Sequence, residues 1–304
     1  MSAANLISVN SPGFLRALAQ AIRPKTLSAA IVPVLVGTAL VKAYHFDVRP
    51  WISIVALLSA LMIQIGTNFV NDALDFVKGA DGDSRLGPAR ATHQGWLTKK
   101  QMMRAAYACL AGAFLLGVPL VVEGGWPLVV IGLTSLAMAY AYTGGPFPLA
   151  YVGLGDVFVI LFFGLVAVGG VFFLQVKAYG IPALVAGLQI GLLATVLIAI
   201  NNLRDLDQDR LVNKKTLAVR LGPRLGRWEV VVLVASTYSL QFYWWHLGFK
   251  FAFALPWLVL PLAMMLAWTV VTTPASRAYN PLLARAAFVH MLFGVLLSIG
   301  LILQ

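Results

Sequence analysis

Charge is scarce in this chain. Asp, Glu, Lys and Arg make up only 11% of its 304 residues, against roughly a quarter in ordinary soluble domains, and that deficit excludes a soluble globular protein. A single cysteine, Cys109, leaves no disulfide to form within the chain, so a stapled scaffold is excluded too. The four histidines, His45, His93, His246 and His290, are scattered without HxxH or HExxH spacing, which argues against a histidine metal centre or a haem–copper site. GxGxxG and Walker A patterns are also missing, so any phosphate site must be built from side chains and metal rather than a glycine-rich nest. What the chain does have is apolar surface, with 60% hydrophobic residues and a mean hydropathy of +0.86. That is far too apolar for a disordered or collagenous chain. The environment it requires is lipid.

Nine apolar stretches run along the chain, at about 27–43, 51–74, 103–122, 126–142, 154–176, 181–200, 229–247, 251–272 and 286–303. Each is close to the ~20 residues that carry a helix across a bilayer, and none shows the period-two alternation of a barrel strand. The expectation is an all-α integral membrane protein of nine transmembrane helices, one domain over residues 1–304, with the first apolar run a retained signal-anchor rather than a cleaved leader. Nine crossings put the termini on opposite sides. With Arg16, Arg23 and Lys25 assigned to the cytoplasm, the loops 75–102, 143–153, 201–228 and 273–285 follow them there. Those segments and their flanks hold all but Lys42, Arg49, Lys177 and Lys250 of the 22 basic residues. This positive-inside bias accounts for most of the +11 net charge without any nucleic-acid partner.

The acids are fewer and more informative. Seven of the eleven fall into two clusters: Asp72, Asp75, Asp81 and Asp83 in NFVNDALDFVKGADGDSR, and Asp205, Asp207 and Asp209 in NNLRDLDQDR. Four crossings separate the clusters, so both emerge on the cytoplasmic face. Helical spacing aligns Asn68, Asp72 and Asp75 in one row and Asn201, Asp205 and Asp209 in another. Neighbouring carboxylates raise one another's pKa, so several stay ionised together only near water or around a cation. Acidic rows with interspersed Asn suit a hard divalent cation such as magnesium, which takes one or two carboxylates and fills its other positions with water and phosphate oxygens. Lys78, Arg85 and Arg90 follow the first cluster, while Arg204, Arg210, Lys214, Lys215 and Arg220 surround the second. Of these, Lys78, Arg85, Arg204, Lys215 and Arg220 are the candidates for binding a diphosphate. A divalent-cation transporter is the alternative class, but it would place its acids near the bilayer midplane on broken helices. Asp156 opens the fifth stretch on the same face as the clusters, as a helix cap or as part of the site.

The motif N68xxND72xxD75, continuing as KGxD81 and R85xGPxR90, together with N201NxRD205xDxD209 and K215TLxVRLG222, resembles the UbiA-type intramembrane aromatic prenyltransferases. More narrowly, it is similar to their 1,4-dihydroxy-2-naphthoate polyprenyltransferase branch. The resemblance extends over nearly the whole chain, through R23PKTL, Y142TGGPxPLxYxGLGD156 and N280PLLAR285. It implies a nine-helix bundle around a central cavity. It also implies magnesium, a polyprenyl diphosphate donor and an aromatic acceptor, with Asp72, Asp75, Asp205 and Asp209 as the catalytic acids. The same residues with Asn68 would hold the metal, and Arg23, Asn68, Tyr142 and Asn201 would meet the substrates. The family pattern is often written NxxxDxxxD. Here the position four after Asp72 is Phe76, leaving Asp75 and Asp81 as the two candidates to complete the first metal shell. Tyr140, Tyr142, Phe158, Phe162 and Phe163 are candidates to line a cavity in which aromatic faces stabilise a carbocation. Relatives acting on another acceptor, such as 4-hydroxybenzoate or a phytyl-quinone precursor, are the nearest alternative.

Overall fold

A computed structural model describes residues 12–80 and 85–304, and these contain helices and turns but no strand. A short amphipathic helix, α1 (Phe14–Ala21), leads through a 3-10 turn (Pro24–Thr26) into α2 (Ser28–Ala43). Then come α3 (Pro50–Val77), α4 (Lys99–Gly124), α5 (Trp126–Ala141), α6 (Gly155–Val176) and α7 (Ile181–Arg204). After the short α8 (Leu206–Leu211) follow α9 (Leu217–Ser239), the short α10 (Gln241–His246), α11 (Lys250–Thr272) and α12 (Tyr279–Ile302). Local signals set the boundaries. Pro50, Pro127 and Pro182 sit in first helical turns, where a missing N–H costs nothing. Thr98 and Gln101 form a reciprocal capping box at the start of α4.

Every apolar stretch became helix, and the chain is a multi-pass membrane protein. By length and hydropathy six of the described helices can cross a bilayer, namely α3, α4, α6, α7, α11 and α12. A seventh joins them when Phe14–Thr26 and Ser28–Ala43, bent by 51°, are taken as one span. The expected nine is therefore reached only in part. The shortfall has a physical origin at two places. Helix α5 is only 16 residues long, because the TGGP turn ends it. Helix α9 starts early, at Leu217, and runs through the basic segment RLGPRLGR with a non-helical break at Gly222.

Helix α7 is the axis of the bundle, with 78% of its most apolar window buried, whereas the windows of α3 and α4 are only 28% and 17% buried and face outward. Glycine permits that central position. A Cβ on Gly164 would lie 2.3 Å from the carbonyl oxygen of Gly187 and 2.8 Å from the Cα of Gly191. Backbone thus meets backbone where α6 crosses α7, the small-residue packing that membrane helices use in place of a hydrophobic driving force. At that crossing α6 widens into a π-helical stretch, Ile160–Val166, which turns Phe162 and Phe163 toward an apolar cavity. The largest core cluster joins α2, α7, α9, α11 and α12. A second gathers the chamber-side half of α3 with α1 and α4, through Phe69, Val70 and Met102.

Candidate active site

The first acid row hangs from the last turns of α3. Asn68 donates its amide to the carbonyl of Ile22 (2.8 Å) and to the Thr26 hydroxyl (3.1 Å), tying down the segment in which Arg23 holds a left-handed backbone. Asp72 is 1% exposed, and its two oxygens accept the backbone N–H groups of Ala91 (3.2 Å) and Thr92 (2.9 Å). Asp75 accepts the Tyr151 hydroxyl at 2.9 Å and lies 3.8 Å from Arg90. Asn71, between them, accepts a hydrogen bond from Thr143.

The second row hangs from the end of α7. Arg204, 2% exposed, grips both oxygens of Asp205 through Nε (2.8 Å) and Nη2 (2.6 Å) and also reaches Asn201 Oδ1 at 2.7 Å. Its other terminal nitrogen donates to Asn280 Oδ1 (3.0 Å), and Asn280 in turn donates to the carbonyl of Leu86 (2.9 Å). One amide on α12 therefore couples the loop after the first row to the arginine of the second. Burial works to raise the Asp205 pKa, but the hydrogen bonds and charge of Arg204, with Arg85 and Lys214 nearby, hold it below the usual carboxylate value. Asp209 behaves differently. Burial pushes it up to about 6, only partly offset by Lys214. Burial alone would depress Lys214, yet Asp75, Asp209 and Asp205 together raise it. Three acids thus surround the lysine and keep it charged at its 3.2 Å contact with Asp209.

Between the rows lies a polar chamber walled by Arg23, Asn71, Asp75, Arg85, Arg90, Tyr142, Asp156, Asn201, Asp205, Asp209 and Lys214. Beside it a cavity of ≈ 480 Å³ reaches Gln64, Asn68, Asp72, Arg204 and Asn280. A third, mostly apolar cavity of ≈ 220 Å³ runs between α2, α3, α5 and α6, past Phe158, Phe162 and Phe163. Tyr142 stands in the wall of all three. Tyr140 does not join it and is 38% exposed.

Of the expected site residues, Arg23, Asn68, Asp72, Asp75, Arg85, Tyr142, Asn201, Arg204, Asp205 and Asp209 come together here. Three expected diphosphate ligands stand apart. Lys215 is exposed, its backbone bonded to Tyr151, because the αL residue Asn213 turns Lys214 inward instead. Arg220 reaches back to the carbonyl of Val152 (2.7 Å) and braces the loop at Gly153. Gly153 has φ +77°, and a Cβ there would lie 2.7 Å from Arg220 Nε. Lys78 donates to the carbonyl of Thr143 and lies over the Tyr151 ring, 4.2 Å from its centre. Asp81 and Asp83 lie outside the described residues. Conversely, Lys214, Arg90, Tyr151, Asp156 and Asn280 belong to the site's surroundings although charge clustering did not select them. Three of these, Tyr151, Asp156 and Asn280, fall in the flanking segments that carry the family resemblance, and that was the available signal.

Oxygen donors dominate the two rows, with neither Cys nor His among them, which is the donor chemistry of a hard cation. Asp209 lines the chamber, and its Oδ2 is buried without a protein partner, an acceptor that no protein donor uses. No cluster of three such side chains is already closed around a metal position among the described residues.

Residues 30–298 match the UbiA prenyltransferase family, and the chain belongs to that family. It is 36% identical over 302 residues to the 1,4-dihydroxy-2-naphthoate octaprenyltransferase of Escherichia coli, covering 94% of each chain. To the enzyme of the same name from Haemophilus influenzae it is 32% identical, over 92% of this chain and 94% of the relative. The fold matches a solved UbiA homolog from Archaeoglobus fulgidus bound to GPP and Mg2+, with TM-score 0.63 and 15% identity over 95% of this chain and all of that one.

Proposed function

We propose that this protein transfers a polyprenyl group from polyprenyl diphosphate to 1,4-dihydroxy-2-naphthoate, releasing diphosphate and carbon dioxide and giving demethylmenaquinol, the reduced form of demethylmenaquinone, a step of menaquinone biosynthesis. One observation carries the reading. Two acid-bearing helix ends open onto a polar chamber that shares the Tyr142 wall with an aromatic-lined apolar cavity, as a donor with a charged head and a long hydrocarbon tail requires. The similarity to octaprenyltransferases of this name along nearly the full chain supports the acceptor.

In this reading the diphosphate lies in the chamber. Asn68, Asp72, Asp75, Asp205 and Asp209 would hold magnesium, and the bound cation neutralises part of the diphosphate charge and so eases its departure. Arg85, Arg204 and Lys214 take the remaining oxygens, arginine by its planar fork and lysine as a point charge. Arg85 and Arg204 pair with Asp205, and Lys214 pairs with Asp209. As the allylic C–O bond breaks, positive charge spreads over the prenyl end. The faces of Tyr142, Phe158, Phe162 and Phe163 stabilise that charge, and the apolar wall keeps water from it. Arg23 and Asn201, which border both the chamber and the 480 Å³ cavity, hold the acceptor's polar groups.

The same reading places nine helices across the inner membrane as one domain, with the chamber and the N-terminus on the cytoplasmic side and the C-terminus opposite. The basic loops support that orientation. The test offers the purified protein 1,4-dihydroxy-2-naphthoate and 4-hydroxybenzoate in competition, with magnesium and polyprenyl diphosphates of several lengths, and identifies products by mass spectrometry. Prenylated, decarboxylated naphthoate is the expected product. Exclusive use of 4-hydroxybenzoate overturns the acceptor assignment, and cation flux into proteoliposomes without diphosphate release overturns the enzyme.

A further inference from the structure

The chamber carboxylates are not equivalent. Asp72 accepts two backbone N–H groups, Asp75 a tyrosine hydroxyl, Asp205 the fork of Arg204 and Asp209 the ammonium of Lys214. Asp156 stands apart from them. It is 5% exposed, lines the chamber, and its Oδ1 is buried without a hydrogen-bond partner. Among the described residues no cation pairs with it. It lies in the first turn of α6, where a carboxylate suits the helix N-terminus, but that role leaves Oδ1 unused. A buried carboxylate oxygen without a protein partner is retained where a ligand completes it.

Asp156 is followed at once on the same helix by Phe158 and Phe162, whose rings stack 5.7 Å apart beside the apolar cavity. Beside Asp156 stands Tyr142, whose hydroxyl is 3.1 Å from where a Cβ on the adjacent Gly155 would sit. Asp156 therefore lies in the chamber wall on the helix that continues past the apolar cavity.

We propose that Asp156 is the proton acceptor for the aromatic substrate, an inference that rests on the function proposed above. The ring carbon bearing the carboxylate supplies the electron pair for the new bond to the prenyl carbon, whose bond to the diphosphate oxygen breaks. The neighbouring ring hydroxyl becomes a ketone as its proton passes to Asp156 Oδ1. The bond from ring to carboxylate then breaks, carbon dioxide leaves, and the freed electron pair restores the aromatic ring through the ketone oxygen. Asp156 returns the proton to that oxygen. The proton ends where it began, so the step needs no oxidant, reductant or outside base. Asp209 also keeps one oxygen unpartnered, but it belongs to the rows that would hold magnesium, and the bonded oxygens of the others are committed to protein donors.

The experiment separates breaking the donor bond from capturing the acceptor. Geranyl diphosphate carrying 18O in the bridging position scrambles its label whenever the allylic bond ionises and recloses, with no need for proton removal from an acceptor. For Asp156→Asn the expected result is magnesium-dependent scrambling within about threefold of wild type, with prenylated product reduced by at least about 100-fold, the lower range for loss of a general base. Asp156→Glu should recover part of the product rate with little change in the KM for the acceptor, and it also serves if the Asn variant does not fold. Loss of scrambling together with product would overturn the proposal by moving Asp156 to the metal and diphosphate end. Full product formation by Asp156→Asn would overturn it as well. If wild type prenylates only 4-hydroxybenzoate, the acceptor reading fails, while the same variant comparison on that ring still decides the role of Asp156.

Discussion

Two polar clusters sit at opposite ends of the bundle, and both are rich in ion pairs. At the end away from the chamber, Glu123 Oε1 accepts from Arg49 (2.8 Å) and Lys177 (2.7 Å). Arg49 also caps the carbonyl of Leu174 (2.8 Å), and Gln175 links the Arg49 backbone to Ser53. This network ties α3, α4 and α6 together where they leave the bilayer. Its side chains are 25–44% exposed and its acid is held by two cations. The chamber has the reverse character. Its acids are buried, two of them keep oxygens with no protein partner, and a cavity of molecular size opens between them. Satisfied and solvated charges hold helices together, whereas buried and incompletely satisfied ones are retained only where a ligand completes them.

The sharpest way to break this contrast is to neutralise a chamber acid. Asp72→Asn or Asp205→Asn should cost at least about 10²–10³-fold in product formation, the scale on which one preorganised charge contact acts in a transition state, while the purified protein remains folded. Near-normal turnover by either variant would remove the distinction between the two ends. A finer comparison lies within one dipeptide. Lys214→Ala should lower turnover by about 10–100-fold, since it removes a charge-assisted partner inside the chamber, whereas Lys215→Ala should stay within about twofold of wild type. Equal losses would mean that both side chains reach substrate. Asn280→Ala touches no substrate in this reading, yet it frees Arg204 and the Leu86 carbonyl. About a tenfold fall in kcat is expected, on the order of one hydrogen bond to a charged group, with the thermal midpoint nearly unchanged. A large drop in midpoint with normal kcat would make Asn280 merely structural. The smallest effect belongs to the far end. Glu123→Gln should leave turnover within about twofold and lower the thermal midpoint slightly, by an amount that shrinks in high salt.

Much of the site was legible because it obeys helical spacing. Asn68, Asp72 and Asp75 on one helix end, and Asn201, Asp205 and Asp209 around another, needed only the three-to-four residue repeat to be read as rows. The two rows do face each other across one chamber. Basic residues were less legible, because positive-inside topology loads the same loops with Lys and Arg for another reason. Lys215 and Arg220 were expected at the diphosphate, and it is Lys214 that turns inward. No periodicity governs that choice. It follows from the turn at Asn213 and from the bond between the Lys215 amide and Tyr151, a residue 64 positions earlier. Asp156 could be a cap or a functional acid from sequence alone, and only the fold shows that it lines the chamber with one oxygen unpartnered. The count of nine spans came from runs of apolar residues. The described helices break those runs differently, at the TGGP turn after α5 and at Gly222 in α9.

Sequence by itself therefore determined the environment, the helical class, the family and the two acid rows. These depend on composition and on contacts between residues three or four apart, which a linear pattern records. Tertiary structure alone decided which base enters the chamber, that Asn280 joins Arg204 to the Leu86 loop, that Tyr142 stands where three cavities meet, and that Asp156 is left without a partner. Each of these is a meeting of segments far apart in the chain, settled by how α3, α6, α7 and α12 pack around one another, and no local spacing encodes it.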